Sequence, residues 1–76
     1  MVEYVTIKGE EVKFGKNDFI EVARKKAISD SGENEFISIS RGFMMLDGSK
    51  RYRKSFTVPT DSKVVEFISE KLKEML

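Results

Sequence analysis

Five cationic side chains and two aromatic rings are concentrated in one short stretch of this 76-residue chain. Phe43 and Tyr52 lie among the cations, and Asp47 is the only carboxylate between residues 36 and 59. Cations that neutralise phosphates, interleaved with flat rings on which bases stack, are typical of proteins that bind single strands. Arginine can also hold one phosphate through two parallel hydrogen bonds. We therefore expect a nucleic-acid-binding site formed by Arg41, Phe43, Lys50, Arg51, Tyr52, Arg53 and Lys54.

The same basic stretch has a second interpretation. The whole chain carries a net charge of only +1, so the residues outside this stretch are acidic in sum. A basic segment on such a background could equally dock an acidic protein surface. The alternative to nucleic-acid binding is therefore a small dimeric protein–protein interaction module.

The composition gives little support for catalysis or metal binding. The chain has no cysteine and no histidine, which removes thiolate metal sites and the commonest general base. Glu66, Glu70 and Glu74 recur every four residues, but Lys63 and Lys73 are interspersed among them, which is typical of a solvated helix face. We expect no enzymatic activity, no metal, no cofactor and no small-molecule substrate.

The first half of the chain predicts a hairpin followed by a helix. Val5 and Ile7 alternate with polar residues before Gly9-Glu10, and Val12 and Phe14 alternate after it, which predicts a two-residue turn at this glycine. Asn17 to Ile28 then shows helical spacing of apolar residues behind an N-cap residue. A polar loop follows at residues 29–34.

The second half predicts another hairpin and another helix. Strands at residues 36–46 and 50–58 flank Asp47-Gly48, a strong turn signal, and Pro59 ends the second strand. Thr60 is predicted to cap a final amphipathic helix. The predicted fold is a single α+β domain over residues 1–76, with the order ββαββα and two helices on one face of an antiparallel sheet of about four strands.

The register of the second hairpin predicts which side chains share a face. With Asp47-Gly48 as the loop, Ile37 faces Val58, Ile39 faces Phe56 and Phe43 faces Tyr52 on an inner face. The outer face would carry Ser38, Ser40, Gly42, Met44, Arg51, Arg53, Ser55 and Thr57. Arg41 would lie opposite Lys54, an unfavourable pair. Either a bulge at Gly42 re-aims Arg41, or the hairpin tip extends beyond the core as an arm.

The second half also resembles the C-terminal half of PC4-like single-stranded DNA-binding domains. The resemblance lies in Ile37–Phe43, Asp47–Ser49 and Arg53–Pro59, followed by a capped amphipathic helix, and it covers about 40 residues. It implies single-stranded DNA rather than RNA as the ligand, with Arg41, Arg51, Arg53 and Lys54 on phosphates and Phe43 and Tyr52 stacking on bases. PC4-like domains have four strands before a dimerising helix, and the predicted helix at residues 17–28 departs from that order.

The size of the chain predicts self-association. A 76-residue domain has a marginal core, and this one has neither disulfides nor metal ligands to support it. We expect a homodimer with Val65, Leu72 and Leu76 of the last helix in its interface. With no apolar run near 20 residues, we expect no membrane association and a cytoplasmic location. The Lys- and Glu-rich composition resembles that of thermophile proteins.

Overall fold

The computed structural model describes all 76 residues and contains four strands and one helix. The elements are β1 (Glu3–Phe14), β2 (Asp18–Ser29), β3 (Gly32–Met44), β4 (Lys50–Pro59) and α1 (Ser62–Glu74). The strands form one antiparallel sheet in chain order, β1-β2-β3-β4. The observed order is therefore ββββα, and the predicted ββαββα order with two helices is wrong.

Residues 18–29 form a central strand and not the predicted helix. Phe19, Ile20, Ala23 and Ala27 fit helical spacing, but Ile20 and Val22 are also two residues apart, as on one face of a strand, and β-branched residues favour strands. β2 pairs with β1 on one side and with β3 on the other along almost its whole length. The hydrogen bonds that β2 forms with strands on both sides stabilise it more than a weak local preference would stabilise a helix.

The predicted hairpin at Gly9-Glu10 is also wrong, because β1 runs straight through both residues. Gly9 lies opposite Ala23, and the chain reverses instead at residues 15–17, where Gly15 has a φ of 60°. Only glycine adopts such a φ without steric cost. One extra residue, Ile7, bulges from β1 between Thr6 and Lys8.

The second hairpin is confirmed in its main features. Ile37 lies opposite Val58, Ile39 opposite Phe56 and Arg41 opposite Lys54, and β4 ends at Pro59. Gly48 has a φ of 89°, as a turn glycine requires. The two-residue loop predicted at Asp47-Gly48 is wrong, because the N–H of Met45 donates to the Ser49 carbonyl and the N–H of Gly48 to the Met45 carbonyl, so the chain reverses over residues 46–48. The pairing of Phe43 with Tyr52 is wrong: a bulge lies in β4 at Arg53, so that Tyr52 pairs with Gly42 and Arg51 with Phe43.

Because directly paired residues share a face, the register defines two surfaces. The apolar face carries the large aliphatic and aromatic residues of all four strands: Val5, Val12, Phe14, Ile20, Val22, Ile37, Ile39, Phe43, Phe56 and Val58. The hydroxyl face carries Thr6, Gly9, Phe19, Glu21, Ala23, Ser38, Ser40, Gly42, Tyr52, Ser55 and Thr57.

Most of the buried residues lie on the hydroxyl face. Phe19 is completely buried, and Ser38 and Ser40 are each 4% exposed. The sequence predicted a solvated outer face for these serines, and for Ser38 and Ser40 that prediction is wrong. On the apolar face only Val58 is buried, while Phe56 is 58% and Val12 is 60% exposed. The face expected to form the core is thus largely open in a single chain.

The C-terminal helix packs beside β4 alone. Its N-cap is Asp61, whose carboxylate accepts a hydrogen bond from the backbone N–H of Lys63 at 2.9 Å; the predicted cap, Thr60, lies one residue too early. Val64 and Ile68 are half-buried, and no residue of α1 is fully buried. The helix is too short and too polar to cross a membrane.

Candidate nucleic-acid interface

Four of the five basic residues of the second hairpin gather at one end of the apolar face. Arg41 and Lys54 lie opposite each other there, and Arg51 lies opposite Phe43. The guanidinium of Arg53 is 5.9 Å from the centre of the Phe43 ring, and that of Arg41 is 5.5 Å from the centre of the Phe14 ring. We refer to Arg41, Arg51, Arg53 and Lys54 as the basic cluster. These guanidinium–ring contacts keep two of its side chains beside aromatic rings.

The bulge at Arg53 brings the basic cluster together. In a regular ladder the side chains of Arg51 and Arg53 would share a face with Ser55, away from Phe43. The extra residue exchanges the two faces beyond it, so Arg51 joins Phe43 while Tyr52 moves to the hydroxyl face. The bulge lies in β4 next to Gly42 rather than in β3, and Arg41 remains directly opposite Lys54.

Gly42 is the position in β3 at which a side chain cannot be accommodated. A Cβ at this residue would overlap the backbone carbonyl oxygen of Arg51 and come within 2.9 Å of Phe19 Cζ. The ring of Phe19 lies against this glycine, and Tyr52 packs edge-on against that ring at 5.4 Å between ring centres. The fully buried Phe19 therefore organises the hydroxyl face of the hairpin.

Lys50 and Tyr52 are not part of the basic cluster. Both belong to the hydroxyl face, where the ammonium of Lys50 lies 5.3 Å from the centre of the Phe19 ring and forms an ion pair with Glu11. The hydrogen bond to Glu11 raises the pKa of Lys50. The Tyr52 hydroxyl donates to a Glu21 carboxylate oxygen at 3.2 Å. Burial, together with the nearby Glu21 charge, raises the pKa of Tyr52.

Two other cations of the apolar face, Arg24 and Lys26, are paired, while Lys8, which lies opposite Arg24 and away from the basic cluster, forms no ion pair. Arg24 Nε donates to a carboxylate oxygen of Glu35 at 2.9 Å, and Lys26 lies 3.7 Å from Glu33. No carboxylate oxygen lies within 4.0 Å of any member of the basic cluster. The nearest acid by register is Asp18, which lies opposite Phe14 and Phe43 and forms no ion pair. Four cationic groups therefore keep their donors free for an anion.

The structure thus brings together five of the seven predicted site residues: Arg41, Phe43, Arg51, Arg53 and Lys54. It also adds Phe14, whose ring contacts Arg41. Sequence reasoning missed Phe14 because β2, the strand that lies between β1 and β3, was predicted to be a helix. The predicted interface residues Val65 and Leu72 are exposed on α1, and Leu76 is exposed beyond its end.

The serines of the hydroxyl face satisfy one another. The hydroxyl oxygens of Ser38, Ser40 and Ser55 lie 3.1 to 3.4 Å apart, and no buried side-chain polar atom is left without a partner. No general base contacts them in these hydrogen bonds. These hydroxyl contacts link β3 to β4.

Comparisons with protein-family profiles, with curated proteins and with solved structures each found no match for this chain.

Proposed function

We propose that this protein binds single-stranded nucleic acid, DNA rather than RNA, through the basic cluster at the hairpin end of the apolar face. The observation that carries the proposal is the set of four cations without acidic partners beside the rings of Phe14 and Phe43. Elsewhere on the same face, Arg24 and Lys26 are neutralised by carboxylates.

The chemistry of binding follows from the side chains. The three arginines and Lys54 would each contact a phosphate oxygen, and the release of counterions would supply most of the binding free energy. Once a guanidinium moves from a ring to a phosphate, the ring face is free to stack on a base. Neither contact reads sequence, so we expect sequence-tolerant binding.

The order of the elements also supports this proposal. Four strands followed by one helix is the order implied by the resemblance to PC4-like domains, and the strand at residues 18–29 removes the departure from that order. The preference for DNA rests on this resemblance.

The proposal is tested by fluorescence anisotropy of a labelled single strand of ~20 nucleotides, titrated with protein at several salt concentrations. The variant Arg51→Gln/Arg53→Gln should bind roughly 10- to 100-fold more weakly at low salt. It should also lose about 1.4 units of the slope of log affinity against log salt, at about 0.7 per phosphate contact.

A matched control is available on the same face. Arg24→Gln/Lys26→Gln removes the same amount of charge at sites already paired with Glu35 and Glu33. This control should bind within about twofold of wild type. Equal weakening by both variants would show only a response to net charge and would contradict a defined site.

The same titrations are repeated with single-stranded RNA and with duplex DNA of the same length. Weaker binding of both is expected. If folded protein binds no nucleic acid at low salt, the proposal is wrong, and the basic cluster remains as a docking site for an acidic protein.

A further inference from the structure

The hydroxyl face contains a recess that is separate from the basic cluster. Gly9 and Ala23 lie opposite each other on β1 and β2 and form its floor, because neither has a bulky side chain. Ala23 is only 3% exposed, although α1 packs beside β4 alone and does not cover it. The recess has a volume of about 380 Å³, which is within the range of sites for small molecules.

Two opposite charges line this recess without neutralising each other. Glu21 and Lys25 both belong to β2, with Ala23 between them on the same face. At a rise of about 3.3 Å per residue their Cα atoms are about 13 Å apart, and no ion pair joins them. Lys25 is half-buried, and no carboxylate oxygen lies within 4.0 Å of its ammonium. Its N–H donors are therefore open to a ligand.

The carboxylate end of the recess is held in place by its neighbours. Glu21 accepts a hydrogen bond from the Tyr52 hydroxyl at 3.2 Å, and the Tyr52 ring packs edge-on against Phe19. A carboxylate has about four acceptor positions, so this single bond leaves Glu21 able to accept further N–H donors. Glu11, which lies opposite Glu21, is paired with Lys50.

The two charges select the kind of ligand. A simple anion would be attracted by Lys25 and repelled by Glu21, and a simple cation would experience the reverse. A molecule that carries both an ammonium and a carboxylate satisfies both side chains through charge-assisted hydrogen bonds. A nucleic-acid strand brings only negative charge, so the recess does not extend the proposed nucleic-acid site.

We propose that this recess binds a free α-amino acid. The ligand carboxylate accepts hydrogen bonds from the Lys25 ammonium and from the hydroxyl of Thr6, which lies opposite Lys25. The ligand ammonium donates to the Glu21 carboxylate, and the ligand Cα lies over Gly9 and Ala23. The site is independent of the proposed nucleic-acid binding, because none of its residues belongs to the basic cluster.

The proposal is tested without nucleic acid, by NMR titration of the isotope-labelled protein with each of the standard α-amino acids in turn. At least one should cause saturable shifts of the backbone amides of Gly9, Ala23 and Ser40, which line the recess, with a Kd of about 1 mM or tighter. Acetate and methylammonium each carry only one of the two charges. Both should bind at least about 10-fold more weakly than the amino acid.

Two variants and a matched control locate the binding. Lys25→Met and Glu21→Gln each remove one charge at nearly constant size, and each should weaken binding by at least about 10-fold. Lys13→Met is the control, because Lys13 lies on the hydroxyl face without an ion pair but outside the recess. It should change the affinity by less than about twofold. The same spectra show whether each variant is folded, so either variant can decide if the other does not fold.

The proposal is wrong if no amino acid causes saturable shifts. Acetate binding as tightly as the amino acids would make the recess an anion site, and equal weakening by Lys13→Met would show only a response to net charge. Either result contradicts a site for a zwitterion. Shifts of these amides by single-stranded DNA and by no amino acid would also overturn the proposal, because the hydroxyl face would then bind nucleic acid.

Discussion

At the residue scale, the close contact between Phe19 and Gly42 determines how side chains pack on the hydroxyl face of the second hairpin. The buried ring fills the space that a side chain at residue 42 would need. Tyr52 and Lys50 then close over the same ring from β4. This small cluster accounts for the separation of Lys50 and Tyr52 from the basic cluster, which lies on the other side of the sheet.

Gly42→Ala should destabilise the fold through steric overlap. The added methyl group would meet the Arg51 carbonyl oxygen and Phe19 Cζ, and overpacking of this kind costs about 1–3 kcal/mol of unfolding free energy. Urea denaturation measures it. Gly9→Ala is the control, because its Cβ would lie 3.4 Å from that of Ala23, an ordinary contact. Equal stability of Gly42→Ala and wild type would contradict the close packing.

Glu21→Gln should lower the pKa of Tyr52 toward its ordinary value of 10.0, because a neighbouring carboxylate disfavours the phenolate. Absorbance at 295 nm measures the pKa in a Tyr4→Phe background, in which Tyr52 is the only tyrosine. An unchanged titration would show that Glu21 has no effect on the phenol.

The same shift predicts how stability depends on pH. Since the folded-state pKa of Tyr52 is raised, its contribution is present below about pH 10 and is lost as pH rises through the folded value. The urea midpoint of wild type should therefore fall more as the pH rises above about 10 than that of Tyr52→Phe.

At the element scale, the parts of the fold that sequence predicts well are those with local signals. The second hairpin was predicted from Asp47-Gly48 between two alternating runs. The last helix was predicted from the apolar spacing of Val64, Phe67, Ile68 and Leu72. β2 could not be predicted in this way, because its preference for strand comes from pairing with β1 and β3. The bulge at Arg53 could not be predicted either, because assigning strand partners from the position of the turn assumes a ladder without extra residues.

The start of α1 offers a direct test at this scale. Asp61→Ala should lower the unfolding free energy by about 0.5–2 kcal/mol, because the Asp61 carboxylate accepts from the Lys63 N–H. Thr60→Ala, at the cap predicted from sequence, should cost less than about 0.5 kcal/mol. Urea denaturation of both variants at one protein concentration decides between the two residues.

At the scale of the whole molecule, the chain is a slab measuring 42 × 36 × 17 Å. Composition predicted a small core, and only three apolar side chains are buried, but which apolar side chains stay exposed depends on topology. A helix at residues 17–28 would have covered one face of the sheet. A strand at the same place removes that cover and adds more apolar surface. The candidate site also depends on topology. The sequence shows the cations, but only the strand register shows that four of them share one face of the sheet.

Both bulges lie in the edge strands, Ile7 in β1 and Arg53 in β4, while β2 and β3 pair with each other without interruption. An edge strand exposes backbone N–H and C=O groups that can template further strands, and a bulge breaks the regular spacing that such templating needs. The bulges in both edge strands thus disfavour edge-to-edge addition of further strands, the kind of growth that forms fibrils. A thin sheet that exposes one apolar side is open to such unwanted strand pairing whenever its edges are accessible.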